Sequence, residues 1–364
     1  MISFNNIIKN FEVKGELVSC ERYGEGHINE TYLAIMQDEG KQVKYILQKI
    51  NKNLFKEVDK LMNNIMLVTE FNRKKIIARG GNPDREGLSI VYAKDGKPYY
   101  YCEDCQEYFR VYIFITDAIA HQKQVRAGQF YQSAVAFGEF ANLLAEFDAT
   151  QLYEVLPNFH NTQVRFENFL ASLECDKMGR VESVKEEINF VIERKDYCKR
   201  LVNLIKTGDL PLKVTHNDTK LNNVMLDEKT DAPVAVIDLD TIMPGTICYD
   251  FGDSIRFGCN TGAEDEPDLS KVNFDIKLFE EYTKGYLSAL GDSVTKCEKD
   301  NLAFGAILMT FECGMRFLAD YLDGDVYFRT HREGHNLDRA RTQFKLVSDM
   351  EKLLPKMQEI VNKL

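Results

Sequence analysis

Residues 214 to 240, VTHNDTKLNNVMLDEKTDAPVAVIDLD, constrain the fold more than any other stretch. His216, Asp218, Lys220 and Asn223 set out H-x-D-x-K-x-x-N, which fixes a carboxylate, a cation and an amide at short intervals. An apolar strand at Val224 to Leu226 follows, then a turn at EKTDAP, then a second strand at Val234 to Ile237. That second strand delivers Asp238. A hairpin of this size returns Asp238 to the neighbourhood of Asn223, so the chain must fold to bring these polar groups together.

The spacing matches the catalytic loop of protein kinases and their relatives, and the residue types suit phosphoryl transfer. Asp218 is the candidate base, because a carboxylate within hydrogen-bond reach can orient an attacking hydroxyl and accept its proton. Lys220 would offset charge on the transferring oxygens. Magnesium takes oxygen ligands, and Asn223 with Asp238 offers an amide oxygen and a carboxylate from adjacent segments. His216 braces the loop on this reading. The plainer alternative is a polar turn whose Asp and Asn satisfy their own backbone; four matched positions and a strand-terminal Asp speak against it. Asp250, Phe251 and Gly252 spell a tripeptide that carries the magnesium ligand in protein kinases, yet they lie too far past the hairpin. Asp250 and Asp253 are read as helix-capping or loop-bracing groups ahead of SIRFG.

Earlier in the chain, strands at 15–23 and 28–37 flank GEGH, which with Asn29 forms G-x-G-x-x-N. Gly24 and Gly26 let backbone approach phosphates, so with Asn29 they are candidates for holding ATP. His27 and Asn29 at the tip could reach nucleotide or substrate. The strand 43–50 ends in YILQKIN, where a kinase would place a phosphate-binding lysine. Alternation sets Lys49 and Gln48 on opposite faces, so one of the two points into the cleft, and charge favours Lys49. A helix over 55–73 and strands between 88 and 115 complete this part, with Asp95-Gly96 as a hairpin turn and YFRVYIFI as the innermost strand.

ITDAIAHQ marks a boundary, which predicts a nucleotide-binding lobe over 1–117 and a catalytic, substrate-binding lobe over 118–364. Helical periodicity dominates the second part from Ala127 on, at 129–147, 161–172, 183–207 and 302–322. In the last of these Glu312, Arg316 and Asp320 recur every four residues on an otherwise apolar helix. Buried charges need partners. They form either an internal ion-pair ladder or a site in which Arg316 grips a hydroxylated or phosphorylated substrate. The cationic residues between Arg329 and Arg341 read as a solvated face able to pair with the protein's own acids, and the acidic GAEDEPD at 262–268 as a solvated connection.

A net charge of -11 argues against a general nucleic-acid or anionic-membrane binder. No run approaches the roughly 18 to 20 apolar residues needed to span a bilayer, and no signal peptide is recognisable at the start. Nine scattered cysteines fit reduced thiols. The expectation is a cytoplasmic protein acting on a small molecule, with no obligate protein partner.

Taken with GEGHINETY, YILQKIN, HNDTKLNN, VIDLDTIMPG, DFGDSIRFG and GMRFLADYL, the sequence resembles the N-acetylhexosamine 1-kinases of the aminoglycoside phosphotransferase and choline kinase superfamily. That resemblance implies an α+β, bilobal, protein-kinase-like fold with a small β-rich N-terminal lobe and a larger helical one. It implies transfer of the ATP γ-phosphoryl, with Mg2+, to the anomeric hydroxyl of N-acetylglucosamine or N-acetylgalactosamine. By the same analogy Asp218 meets the 1-hydroxyl, Asn223 and Asp238 hold magnesium, Arg316 and His27 bind sugar hydroxyls, and Thr241 and Phe257 contact the sugar. The alternatives are a kinase of the same superfamily acting on an aminoglycoside, choline or homoserine, or a catalytically silent nucleotide-binding scaffold.

Overall fold

The structure is a computed structural model that describes residues 3–24, 26 and 28–364. It divides into two compact units. The first holds Met1–Ala120 with Thr150–Leu156 and Met225–Met243; the second holds His121–Ala149, Pro157–Val224 and Pro244–Leu364. The boundary expected at 117/118 lies three residues before the end of the first long segment, and two later segments return to the first unit.

The first unit is built on an antiparallel sheet. Helix α1 (Phe4–Ile8) precedes strands β1 (Glu16–Arg22), β2 (Glu30–Asp38) and β3 (Lys41–Ile50), which pair in sequence order. After helices α2 (Val58–Ala78) and α3 (Pro83–Glu86) come β4 (Ile90–Val91), β5 (Tyr100–Cys102) and β6 (Glu107–Ile113). Strand β6 pairs with β3, β4 and β5, so YFRVYI is the innermost strand. Alternation sends Tyr45, Leu47, Phe109 and Val111 to one face, where they bury against Ile7, Ile8 and Phe11. The helix expected over 55–73 runs five residues further, and the Asp95-Gly96 turn is present with Gly96 at φ +83°.

The stretch 214–240 is shared by both units. Strand β7 (Ala118–Ile119) belongs to the first unit, β8 (Lys213–Thr215) to the second, and after the loop 216–223 the chain enters β9 (Val224–Asp227) and β10 (Pro233–Val236). Strand β9 pairs with β7 and β10.

Helices make up the rest of the second unit: α4 (Gln129–Leu143), α5 (Thr162–Cys175), α6 (Lys185–Glu193), α7 (Tyr197–Thr207), α8 (Ile247–Gly258), α9 (Ile276–Leu290), α10 (Lys296–Asp323) and α11 (His335–Lys363). The helix expected over 183–207 is thus two. Helix α10 begins at a capping box, in which Thr295 and Glu298 satisfy each other's backbone N–H, and Glu298 also pairs with Lys213 at 2.8 Å. By length and composition α10 is apolar enough to cross a membrane, contrary to the expectation from the sequence. Yet 83% of its most apolar window is buried within the protein, which is how a core helix behaves.

The supposed solvated cluster near 329–341 is knitted to the protein's own acids. Arg341 pairs with Glu187 at 2.6 Å, and buried His335 meets Asp265 at 2.8 Å. Within the acidic loop, Glu264 pairs with Arg256 at 2.9 Å, so that loop is more than a solvated connection.

Helices α8 and α10 approach through glycines. A Cβ on Gly305 would lie 2.5 Å from the carbonyl oxygen of Cys248, and one on Gly252 would lie 2.4 Å from that of Gly305. Overfilling such a contact costs about 1–3 kcal/mol. Gly305→Ala is therefore expected to lower the urea midpoint of the purified protein, and an unchanged midpoint would show that the helices can separate freely.

Candidate active site

In the second unit the motif forms a braced loop. Both carboxylate oxygens of Asp250, in the first turn of α8, accept backbone N–H bonds: Oδ2 from His216 at 2.8 Å and Oδ1 from Asn217 at 2.7 Å. Asp253, one turn on, accepts the Thr219 N–H at 3.1 Å, and the Ser254 hydroxyl donates to the Thr219 carbonyl at 2.8 Å. These bonds hold Asn217 in the left-handed region at φ +63°, a conformation asparagine tolerates better than most residues. The Asp250 and Asp253 side chains act from inside α8, which SIRFG continues, so their bracing role holds while the helix is capped by Thr246 instead. Burial pushes the Asp250 carboxyl above its ordinary range, against the opposing pull of His216 and the two N–H donors. His216 is buried edge-on to Phe137 and Phe140, and its Nδ1 accepts the Asp218 N–H at 3.3 Å.

On this platform Asp218, Lys220 and Asn223 come together. Lys220 Nζ lies 2.8 Å from Asp218 Oδ1, while Asn223 Nδ2 donates to the Asp218 carbonyl at 2.8 Å and to Oδ2 at 3.2 Å. Burial disfavours the Lys220 charge, but Asp218 and Asp253 outweigh it and hold the ammonium above its ordinary pKa. Lys220 is therefore a fixed cation beside the candidate base. With Nδ2 committed to Asp218, the Asn223 amide oxygen faces another way, as an oxygen ligand for a cation would.

Leu221 of the same loop, Phe257, Arg256, Asn260 and Gln343 line a cavity of about 410 Å³ in the second unit. Phe257 is thus at a cavity wall close in sequence to Asp253. Arg316 lies elsewhere in this unit, with Phe159, Tyr327 and Phe328 rings 5.4 to 5.7 Å from its guanidinium carbon and Glu312 at 3.8 Å. Of the four-residue ladder along α10 the Glu312–Arg316 rung is present at 3.8 Å, but Asp320 does not continue it. Asp320 instead accepts backbone N–H bonds from Val326, Tyr327 and Phe328 at 2.8 to 2.9 Å, which fixes the two rings over Arg316.

In the first unit a second polar network occupies the α2 side of the sheet. Arg110, fully buried within the apolar strand β6, donates from Nε to Gln48 Oε1 at 2.9 Å and pairs with Asp240 through Nη1. Asn29 donates from Nδ2 to the same Asp240 and accepts the Asn51 N–H at 2.9 Å. Burial works against the Arg110 charge, and Asp240, with Asp238 further away, more than offsets it. Asp238 follows β10 in the left-handed region at φ +61° and is exposed. Thr241 closes the short turn Leu239–Thr241.

Lys49 lies on the opposite face of β3, paired with Glu30 and, at 3.9 Å, with Glu107. Gln48, not Lys49, shares a face with Arg110 and Asp240. This departs from the preference that charge alone suggested: two acids claim the lysine on the far side of the strand. Gly24, at φ +74°, and Gly26 have no atom of the described residues within 4 Å of an added Cβ. His27 lies outside the described residues. Arg110 and Asp240 went unnoticed in the sequence, although one charge inside EYFRVYI and the D-x-D spacing at 238–240 were visible signals.

Among the described residues no three His, Cys, Asp or Glu side chains converge as a self-contained metal site. Magnesium does not require one, because it is commonly held by one or two protein oxygens together with substrate phosphates and water. Asp238 in the first unit and Asn223 in the second each carry an oxygen of the kind magnesium takes.

Residues 19–286 match the sequence profile of the phosphotransferase enzyme family, APH, which covers well over half of the chain. The chain belongs to the phosphotransferase enzyme family. Among solved structures, this family member is similar to a microcompartment-associated aminopropanol kinase at 16% identity, with 96% of each chain covered and a TM-score of 0.60. It is similar to an aminoglycoside phosphotransferase from Alicyclobacillus acidocaldarius at 12% identity, covering 100% of this chain and 97% of that one, with a TM-score of 0.58. A spectinomycin phosphotransferase solved with ADP and spectinomycin shares 13% identity over 99% of this chain and 98% of its own, with a TM-score of 0.54. At these identities the likeness establishes the fold: an α+β, protein-kinase-like phosphotransferase with an antiparallel sheet in its N-terminal part and helices in its C-terminal part.

The buried Arg110–Asp240 pair gives the first test. Removing one member strands the other charge, at a cost of about 3–5 kcal/mol. Arg110→Met is expected to lower the thermal midpoint markedly, and an unshifted midpoint would mean that Asp240 is satisfied without its guanidinium.

Proposed function

We propose that the protein transfers the γ-phosphoryl of ATP, with Mg2+, to the 1-hydroxyl of an N-acetylhexosamine, giving the sugar 1-phosphate. The observation that carries the transfer step is the fixed triad of Asp218, Lys220 and Asn223 on a loop pinned by Asp250 and Asp253. Asp218 orients the acceptor hydroxyl and takes its proton as the oxygen bonds to the γ-phosphorus and the bond to ADP breaks. An anomeric hydroxyl is more acidic than an ordinary alcohol, which suits a carboxylate base. Lys220 offsets the charge that grows on the transferring oxygens. Magnesium, with Asn223 and Asp238 as its protein ligands, neutralises phosphate charge when bound. Gly24 and Gly26 serve the nucleotide, while Asn29, expected to join them, is buried with its amide committed to Asp240 and to the Asn51 N–H and so braces the loop.

The sugar assignment draws support from Arg316. Its surroundings are aromatic and cationic, with Arg165 close enough that the two guanidiniums repel, and such a place suits a neutral hydroxylated acceptor. Thr241 and Phe257 are further candidates for sugar contact, as is His27. The rival reading is an amino-alcohol acceptor, favoured by the fold shared with an aminopropanol kinase. A cationic acceptor needs uncompensated carboxylates, and Glu312 beside Arg316 is already paired with His160.

A panel of N-acetylglucosamine, N-acetylgalactosamine, hexoses, aminopropanol, choline and homoserine, assayed with ATP and Mg2+ by ADP release, separates these readings. Turnover with the N-acetylhexosamines is expected; turnover confined to amino alcohols would refute the sugar reading. Asp218→Asn should reduce kcat by roughly 10²- to 10⁴-fold while ADP binding by calorimetry persists. Unchanged turnover would dispose of the base assignment.

A further inference from the structure

Glu312 is buried in the middle of α10, where a carboxylate is costly unless both oxygens are met. Oε1 is met by His160 Nδ1 at 3.0 Å. Oε2 has no hydrogen-bond partner among the described residues, and neither does His160 Nε2, although both atoms are buried. Arg316 stands beside them with only 18% of its side chain exposed; its one ion-pair partner among the described residues is Glu312, at 3.8 Å, beyond hydrogen-bond range. A buried carboxylate oxygen, a buried imidazole nitrogen and a set of guanidinium donors are thus gathered in one place with their capacity unspent. Native proteins rarely leave such groups unsatisfied, and the partner is then supplied from outside the chain.

The position favours the phosphoryl acceptor as that partner. His160 lies within electrostatic reach of Asp250 and Asp253, the two carboxylates that hold the catalytic loop, and its ring is 5.3 Å from that of Tyr249. The local charge also selects. Burial pushes the Glu312 carboxyl upward, but His160, Arg316 and Arg165 together hold it below its ordinary range, so it stays ionised. With two guanidiniums already countering that charge, an ammonium gains little here. A hydroxyl or an amide N–H gains a charge-assisted hydrogen bond.

We propose that Glu312 is a specificity-determining residue whose Oε2 accepts a hydrogen bond from a hydroxyl or amide N–H lying next to the reacting hydroxyl of the acceptor, while Arg316 donates to the neighbouring oxygen. His160 is a positioning residue that holds Oε1 and so aims Oε2. This rests on the reading of the protein as a sugar kinase and adds the group by which the sugar is recognised.

Kinetics with the purified protein and N-acetylglucosamine, alongside its 3-deoxy, 4-deoxy and 6-deoxy analogues and 2-deoxyglucose, which lacks the acetamide beside the reacting hydroxyl, test it. Glu312→Gln keeps the shape and removes the charge. It is expected to raise KM for N-acetylglucosamine roughly tenfold to a hundredfold while leaving KM for ATP and kcat within about twofold. One deoxy analogue, poor with the wild type, should be used equally by wild type and variant, because the lost hydroxyl and the lost charge are one interaction. His160→Gln should show the same KM split to a smaller degree, and it decides the matter if Glu312→Gln fails to fold. Equal losses with every analogue, or a rise in KM for ATP, would overturn the proposal and return Glu312 to a purely structural role. If the wild type uses no N-acetylhexosamine, the sugar reading fails by itself. The two variants are then assayed with the acceptor that the panel does identify: a KM rise confined to that acceptor keeps the Glu312 assignment, and an unmoved KM rejects it.

Discussion

One carboxylate sets the geometry of the catalytic loop. Asp250 accepts two consecutive backbone N–H groups, from His216 and Asn217, and this forces the chain through a left-handed turn immediately before Asp218. A loop residue 2 positions from a buried anchor has little freedom, so Asp218 arrives already aimed, with Lys220 and Asn223 locked to its two oxygens. The anchor is rigid in turn because α8 is clamped to α10 at Gly252 and Gly305, where backbone meets backbone with no room for a Cβ. Catalytic groups on loops are positioned by the scaffold beneath them, and here that scaffold is a helix pair.

Charge is distributed by task along the helices. Asp320 holds a loop through backbone N–H groups, Glu298 closes a helix end and pairs with Lys213, and Asp253 divides itself between Thr219 and Arg256. Asp320 and Asp253 are buried with both oxygens met, while Glu298 leaves Oε1 without a partner among the described residues. Glu312 and Arg316 stand apart, because there an unmet carboxylate oxygen, an unmet imidazole nitrogen and a guanidinium beyond hydrogen-bond range from its acid occur side by side. The contrast separates side chains that build the site from side chains that wait for a ligand. In the first unit Arg110 and Asp240 satisfy each other inside the sheet, and Asp238, two residues from Asp240, is exposed.

Much of this was legible in the residues. The hairpin that delivers Asp238, the innermost position of YFRVYIFI and the bracing role of Asp250 follow from local spacing, and local spacing is what sequence reports well. The facing of Lys49 was not, because it depends on Glu30 and Glu107, each brought alongside by strand pairing rather than by sequence proximity. The ladder on α10 misled for the same reason: a four-residue period is compatible with mutual pairing, but His160 and the 326–328 backbone compete for the acids and win. Helix α10 also begins well before the expected start at 302, at Lys296, because the Thr295–Glu298 capping box sets its first turn there.

The account turns on whether the catalytic loop depends on that single carboxylate. The most direct measurement is the pre-steady-state phosphoryl-transfer rate of Asp250→Asn, made alongside ADP affinity and the thermal midpoint. An amide can accept one of the two N–H bonds but not both, so the loop should slip and the transfer rate should fall by roughly a hundredfold with ADP affinity unchanged. A transfer rate equal to that of the wild type would show that Asp218 finds its place without the anchor.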